Sequence, residues 1–95
     1  MIVENIKLEN GTGLALKFEM ENAPLLVIKA DKGFVMCGYL DMATAEKLGD
    51  AAVRVSGVSS FDDVLNAEVA AATEAAKKLG VKESMSGKQA LELMF

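Results

Sequence analysis

With one cysteine, one arginine and no histidine among its 95 residues, this sequence has few side chains able to act as nucleophile, anion clamp or proton carrier. The missing histidine removes Ser-His-Asp triads, imidazole metal ligands and the usual acid/base group near neutral pH. Cys37 is the candidate catalytic nucleophile. It stands between Met36 and Gly38, where a glycine lets a substrate approach the backbone, and four residues before Asp41, a natural helix cap whose helix amides would favour a thiolate. The opposing reading is strong: a cysteine inside an apolar strand is ordinarily a small buried hydrophobe.

Arg54 is the second candidate. It lies on the polar side of an alternating strand that runs into Ser56-Gly57-Val58-Ser59-Ser60 and a helix start. Arg54, Ser56, Gly57, Ser59 and Ser60 together form a candidate ligand-binding set, in which a guanidinium, loop amides and hydroxyls would clamp a carboxylate or phosphate. Asp62 and Asp63 would repel an anion there, and an arginine near the surface more often makes an ordinary ion pair. Asp31, Asp41, Asp50, Asp62 and Asp63 each have a local explanation as turn, cap or helix-dipole residues, so neither a metal site nor a cofactor is expected.

These candidates depend on a scaffold whose centre is Pro24 to Asp41. Leu25 to Ala30 carries one charge, Lys29, and Phe34 to Leu40 carries none, so neither run alternates like a strand with a wet face. The pattern predicts a buried β-hairpin turning through Asp31-Lys32-Gly33, with Gly33 free to take positive φ. An earlier hairpin is expected to align its even-numbered apolar residues: Leu8 opposite Leu14 and Ile6 opposite Leu16, leaving Asn10-Gly11-Thr12 as loop. Asp41 predicts the cap of a short helix over Met42, Ala45 and Leu48, ended by Gly49. Ala51 to Ser56 reads as a fifth strand. Phe61, Leu65, Val69, Ala72, Ala76 and Leu79 step by three and four, which predicts one long helix from the Ser60 cap to Gly80. Ser86-Gly87-Lys88-Gln89 has capping-box spacing and opens a terminal helix over Ala90, Leu91 and Met94. The expected fold class is α+β: a mostly antiparallel five-stranded sheet with about three helices packed on one face, as a single domain over 1–95.

Composition narrows the partners. A net charge of −4 and sparse aromatics argue against nucleic acid, which calls for a basic face or a stacking platform. The longest uncharged apolar run, Gly33 to Leu40, is far below the ~20 residues of a membrane span. Met1-Ile2-Val3-Glu4 lacks the start of a secretory signal, and a lone cysteine fits a reducing compartment, so a cytoplasmic location is expected. Helices on one face leave the other side of an apolar sheet open. A homo-oligomer is therefore expected, through the sheet face and/or an alanine-rich helix bearing Ala67, Ala70, Ala71 and Ala75, with room for a small-molecule ligand.

Pro-Leu-Leu-Val-Ile (24–28), Lys-Gly-Phe-Val-Met-Cys-Gly-Tyr-Leu (32–40), Ala-Glu-Lys-Leu-Gly-Asp (45–50), Val-Ser-Gly-Val (55–58) and Ser-Gly-Lys-Gln-Ala-Leu (86–91) occur in an order that resembles the YunC-like proteins of archaea and bacteria, a domain of unknown function. The resemblance covers nearly the whole chain, and the glycine and cysteine stretch at 33–40 is its most specific part. It implies a small α+β protein and brings no activity, substrate or catalytic residue with it. The residues alone lead to a non-catalytic homo-oligomeric binding module, with anion binding at Arg54 or a Cys37-dependent enzyme as alternatives.

Overall fold

The computed structural model describes residues 1–95. Six strands form one mixed sheet in sequence order: β1 (Ile2–Lys7), β2 (Thr12–Glu19), β3 (Pro24–Lys29), β4 (Gly33–Met36), β5 (Ala51–Arg54) and β6 (Ala71–Ala72). Every neighbouring pair is antiparallel except β4 and β5, which run parallel. Four helices complete the chain: α1 (Met42–Leu48), α2 (Phe61–Asn66), α3 (Glu74–Lys78) and α4 (Gly87–Glu92). None is long and apolar enough to cross a membrane. The α+β class is as expected, with one more strand and one more helix than the pattern predicts.

The helices do not share one face. Residues from α2, α3 and α4 (Val64, Ala76, Ala90 and Leu91) join Leu26, Ile28, Val35 and Val53 in the main core. Helix α1 sits on the opposite side, where its Ala45 packs with Met36 and Ala52. The cause is alternation. Along β4 and β5, successive side chains leave opposite sides of the sheet, and both sides are apolar there, so each needs its own cover.

The first hairpin also differs from expectation. Ile2 faces Lys17 and Val3 faces Leu16, so opposed numbers sum to an odd value. The loop is the four residues Leu8 to Gly11, closed by the Leu8 amide donating to the Gly11 carbonyl at 2.8 Å. Close packing explains the choice. On the helix side, a Cβ at Gly13 would stand 3.2 Å from Ile28 Cγ2 and 3.6 Å from Leu91 Cδ2, and Ala15 is fully buried. Only small residues fit under α4, so Leu14, Leu16 and Phe18 go to the other side.

The second hairpin turns at Ala30 to Gly33, with the Ala30 amide donating to the Gly33 carbonyl at 2.8 Å. Gly33 does not adopt positive φ. Glycine is required by proximity instead, because a Cβ there would collide with the Ala51 carbonyl on β5.

The predicted long helix from Ser60 to Gly80 is broken into α2, β6 and α3. Its apolar stripe is buried as expected, since Phe61, Leu65, Val69, Ala72, Ala76 and Leu79 all contact the main core. The backbone is not one helix because Thr73, fully buried, donates its hydroxyl to the Asp50 carbonyl at 2.7 Å and accepts from the Ala52 amide at 3.0 Å. It also caps α3, accepting from the Ala76 amide at 3.3 Å. These bonds to β5 hold Ala71–Ala72 as an edge strand and override alanine's helical preference. As a result the alanines at 67, 70, 71 and 75 do not form a common helix face.

Candidate functional site

Cys37 follows the last residue of β4. Its amide donates to the Leu26 carbonyl at 3.0 Å, and its Sγ accepts from the Leu26 amide at 3.3 Å. The ladder with β3 thus extends past Met36 and the thiol is fixed at the rim of the main core, 4% exposed. Gly38 and Tyr39 then turn the chain toward Asp41. The Asp41 carboxylate accepts from the Ala43 amide at 3.0 Å and from the Thr44 hydroxyl at 2.7 Å, starting α1. These bonds, the Thr44 hydroxyl first, hold the Asp41 carboxyl below its usual value.

Because β4 and β5 are parallel, their carboxyl ends lie side by side. The chain leaves β4 for α1 on one face and leaves β5 for α2 on the other. Loops that leave two neighbouring strand ends toward opposite faces open a crevice outside those ends. A cleft of about 360 Å³ occupies this place, lined by Ala23 and Pro24 at the start of β3, Cys37, Gly38 and Tyr39 after β4, and Gly57 and Val58 after β5. No Asp, Glu, Lys or Arg side chain borders it.

The remaining candidates lie elsewhere. Arg54, opposite Met36 on β4 and Ala71 on β6, does not line this cleft. Its Nε is buried without a hydrogen-bond partner. The two ion pairs of the protein, Lys17–Glu19 and Lys77–Glu74, do not involve it. Ser59 is occupied: its amide and hydroxyl both donate to Asp63 Oδ2 at 3.0 Å. Ser60 Oγ accepts from the Asp63 amide at 3.1 Å as the cap of α2. The amide and hydroxyl of Ser59 hold the Asp63 carboxyl below its usual value. The groove beside this loop contains Ser56 and Gly57 but also Asp63 and Glu68.

The structure thus brings Cys37 and Gly57 to one cleft and leaves Arg54, Ser56, Ser59 and Ser60 outside it. Sequence reasoning passed over Pro24, Tyr39 and Val58 as members of a site. A strand, a short helix and another strand in succession, the signature of a parallel pair, was the available signal. No three histidine, cysteine or acidic side chains gather as a metal cluster.

Residues 36–94 match the family described as Domain of unknown function (DUF1805). The chain belongs to this family. It is 37% identical over 94 residues to the uncharacterized protein YunC of Bacillus subtilis (strain 168), covering 95% of this chain and 93% of that protein. The crystal structure of a protein of unknown function, TA1206, from Thermoplasma acidophilum is similar with a TM-score of 0.94 at 38% identity, covering 99% of this chain and 92% of that one. The resemblance drawn from residues 24–91 is correct. The matched DUF1805 span opens at Met36 and includes the Cys37–Tyr39 and Gly57–Val58 sides of the cleft; β1, β2 and β3 precede it.

Proposed function

We propose that this DUF1805 protein is a homo-oligomeric binding module whose copies join through the sheet face that α1 leaves open. The supporting observation is one apolar surface. A groove of about 530 Å³ runs across β1 to β4, lined by Val3, Leu14, Leu16, Val27, Phe34 and Leu40. Beside it Phe18, like Leu14, is 50% exposed. Its only charged member, Lys29, turns its Nζ back to the Ala30 carbonyl at 3.1 Å.

The area favours a second copy. These side chains expose roughly 400 Å² of apolar surface per chain, the size of patch that on a single chain is often functional. Two copies face to face remove about 800 Å². If apolar atoms form about two thirds of a homodimer interface, the whole contact reaches about 1,200 Å², the lower bound of stable assemblies. The partner must offer a nearly uncharged sheet of equal extent, and this chain carries one.

Light scattering over a concentration series tests the proposal. The wild type is expected at twice the 10.1 kDa chain mass or a higher multiple, and Leu16→Glu, with an unchanged circular dichroism spectrum, at one chain mass. A wild type that stays at one chain mass up to high micromolar concentration contradicts it.

The other two readings have weaker support. Anion binding at the 56–60 loop competes with Asp63 for the Ser59 donors and meets Glu68 nearby. Catalysis by Cys37 would find no carboxylate, lysine or arginine in the cleft wall, only the exposed Tyr39 phenol. Non-catalytic binding fits this lining best.

A further inference from the structure

The cleft at the carboxyl ends of β4 and β5 has a lining specific enough to select a ligand class. Its polar groups are mainly backbone. The amides of Gly38, Tyr39, Gly57 and Val58 donate to no acceptor within the protein, and the carbonyls of Gly38, Tyr39 and Gly57 accept from no donor. Free donors and free acceptors therefore lie in both loops that border the cleft. Nothing stands within 4 Å of where a Cβ would sit at Gly38 or Gly57, so no neighbouring side chain covers these two backbones. The rest of the wall is apolar: Ala23, Pro24, Val58, the Tyr39 ring and the edge of Cys37.

Charge decides between classes. An anion entering the cleft would find no cationic side chain in the wall, and the groove on the far side of Gly57 and Val58 carries Asp63 and Glu68. A cation would find no carboxylate in the wall and would be desolvated against apolar surface. An uncharged group that both donates and accepts satisfies the free amides and carbonyls together. At ~30 Å³ per water-sized unit, the cleft accommodates roughly twelve non-hydrogen atoms.

We infer that this cleft binds a small uncharged molecule with an apolar body and an amide-type polar end, which pairs with the backbone of Gly38–Tyr39 and Gly57–Val58. This deepens the binding-module reading by naming the ligand class. It is separable from the assembly proposal, because oligomer failure is read in the mass and cleft failure in local amide shifts.

Three probes of one shape and different charge test it: benzamide, benzoate and benzamidine, each titrated into ¹⁵N-labelled wild-type protein. Benzamide is expected to move the amide resonances of Gly38, Tyr39, Gly57 and Val58 with saturation in the millimolar range. Benzoate and benzamidine are expected to bind at least tenfold more weakly. Gly38→Val, which places a branched side chain in open space at a non-positive φ, is expected to keep the rest of the spectrum and lose benzamide binding at least tenfold. Equal or tighter binding of either charged probe overturns the ligand class. Benzamide shifts centred on another surface, or absent up to 10 mM, overturn the site, and both results are read on the wild type whether or not the variant folds.

Discussion

On the side of the sheet covered by α2, α3 and α4, Leu26, Ile28, Val35 and Val53 are fully buried. On the other side, away from α1, Leu14 and Phe18 are 50% exposed and Val3 55%. The amount of apolar surface does not separate the two regions; the size of the side chains does. Gly13 and Ala15 allow Leu91 and Ile28 to close on β2 from one side, whereas the large residues of the same strand project from the other and have no helix over them. An apolar strand face is therefore not by itself a monomer's core. It becomes one only where a covering element can approach.

The largest test of this contrast is a pair of truncations. Leu26→Ala, in the closed face, is expected to lower unfolding free energy by about 2–5 kcal/mol at any protein concentration, measured by denaturant titration. Leu14→Ala, in the open face, is expected to change the dilute-limit stability by less than about 0.5 kcal/mol and to weaken self-association instead. Equal losses in the two variants would erase the distinction between the faces.

Thr73 sets the next effect. Thr73→Val keeps the shape and removes the hydroxyl that serves the Asp50 carbonyl and the Ala52 and Ala76 amides. With buried partners left unpaired and a helix cap lost, about 2–3 kcal/mol is expected. Amide hydrogen exchange should speed up first at β6 and α3. A variant as stable as the wild type would show that these bonds do not hold the edge strand.

Cys37 belongs to the closed region although it borders the cleft. Its alkylation by iodoacetamide in the native protein is expected to be at least ten times slower than in denaturant, because the residue is buried and its sulfur accepts from the Leu26 amide. Native labelling as fast as unfolded labelling would place the thiol in an open, reactive site and revive the catalytic reading.

The smallest effect is a pH dependence at Asp41, the cap of α1, and Asp63, in the first turn of α2. Asp41 and Asp63 titrate lower in the folded chain than at the reference value of 3.8. Their stabilisation is thus complete above that value and is lost as pH falls through the lower folded values. Thermal melts should be nearly flat from about pH 7 to 5 with respect to these groups and should decline below about pH 4. Asp63→Asn should remove part of that decline. An unchanged acid profile in this variant would mean that the Ser59 bonds contribute nothing to folding.

Much of the fold is legible in the sequence. Asp41, Ser60 and Ser86 cap helices as their spacing predicts, including the full capping box at Ser86 and Gln89. The apolar residues from Phe61 to Leu79 do reach the core, but from α2, β6 and α3 rather than from the single helix their spacing predicts. What escapes is decided by contacts between distant residues. Thr73 breaks the stripe's helix by bonding to β5, Ile28 and Leu91 close over Gly13 so that the large residues of β2 face the other side, and Ala51 requires glycine at position 33. The candidate site is half legible: Cys37 and Gly57 were singled out, but only the parallel pairing of β4 with β5 brings them together. Ser59 was read as a ligand donor because its bonding to Asp63, four residues on, is ambiguous in sequence between an anion's cradle and a helix's own cap.

The contrast between the faces is tested most directly by isotope-filtered methyl NOE spectroscopy on an equimolar mixture of labelled and unlabelled protein. Contacts between chains are predicted at the methyls of Val3, Leu14, Leu16 and Val27, and none at Leu26, Ile28, Val35 or Leu91. Absence of intermolecular contacts from the first group, at a concentration where Leu26 and Ile28 show their full set of intramolecular ones, would contradict a second copy on the open face.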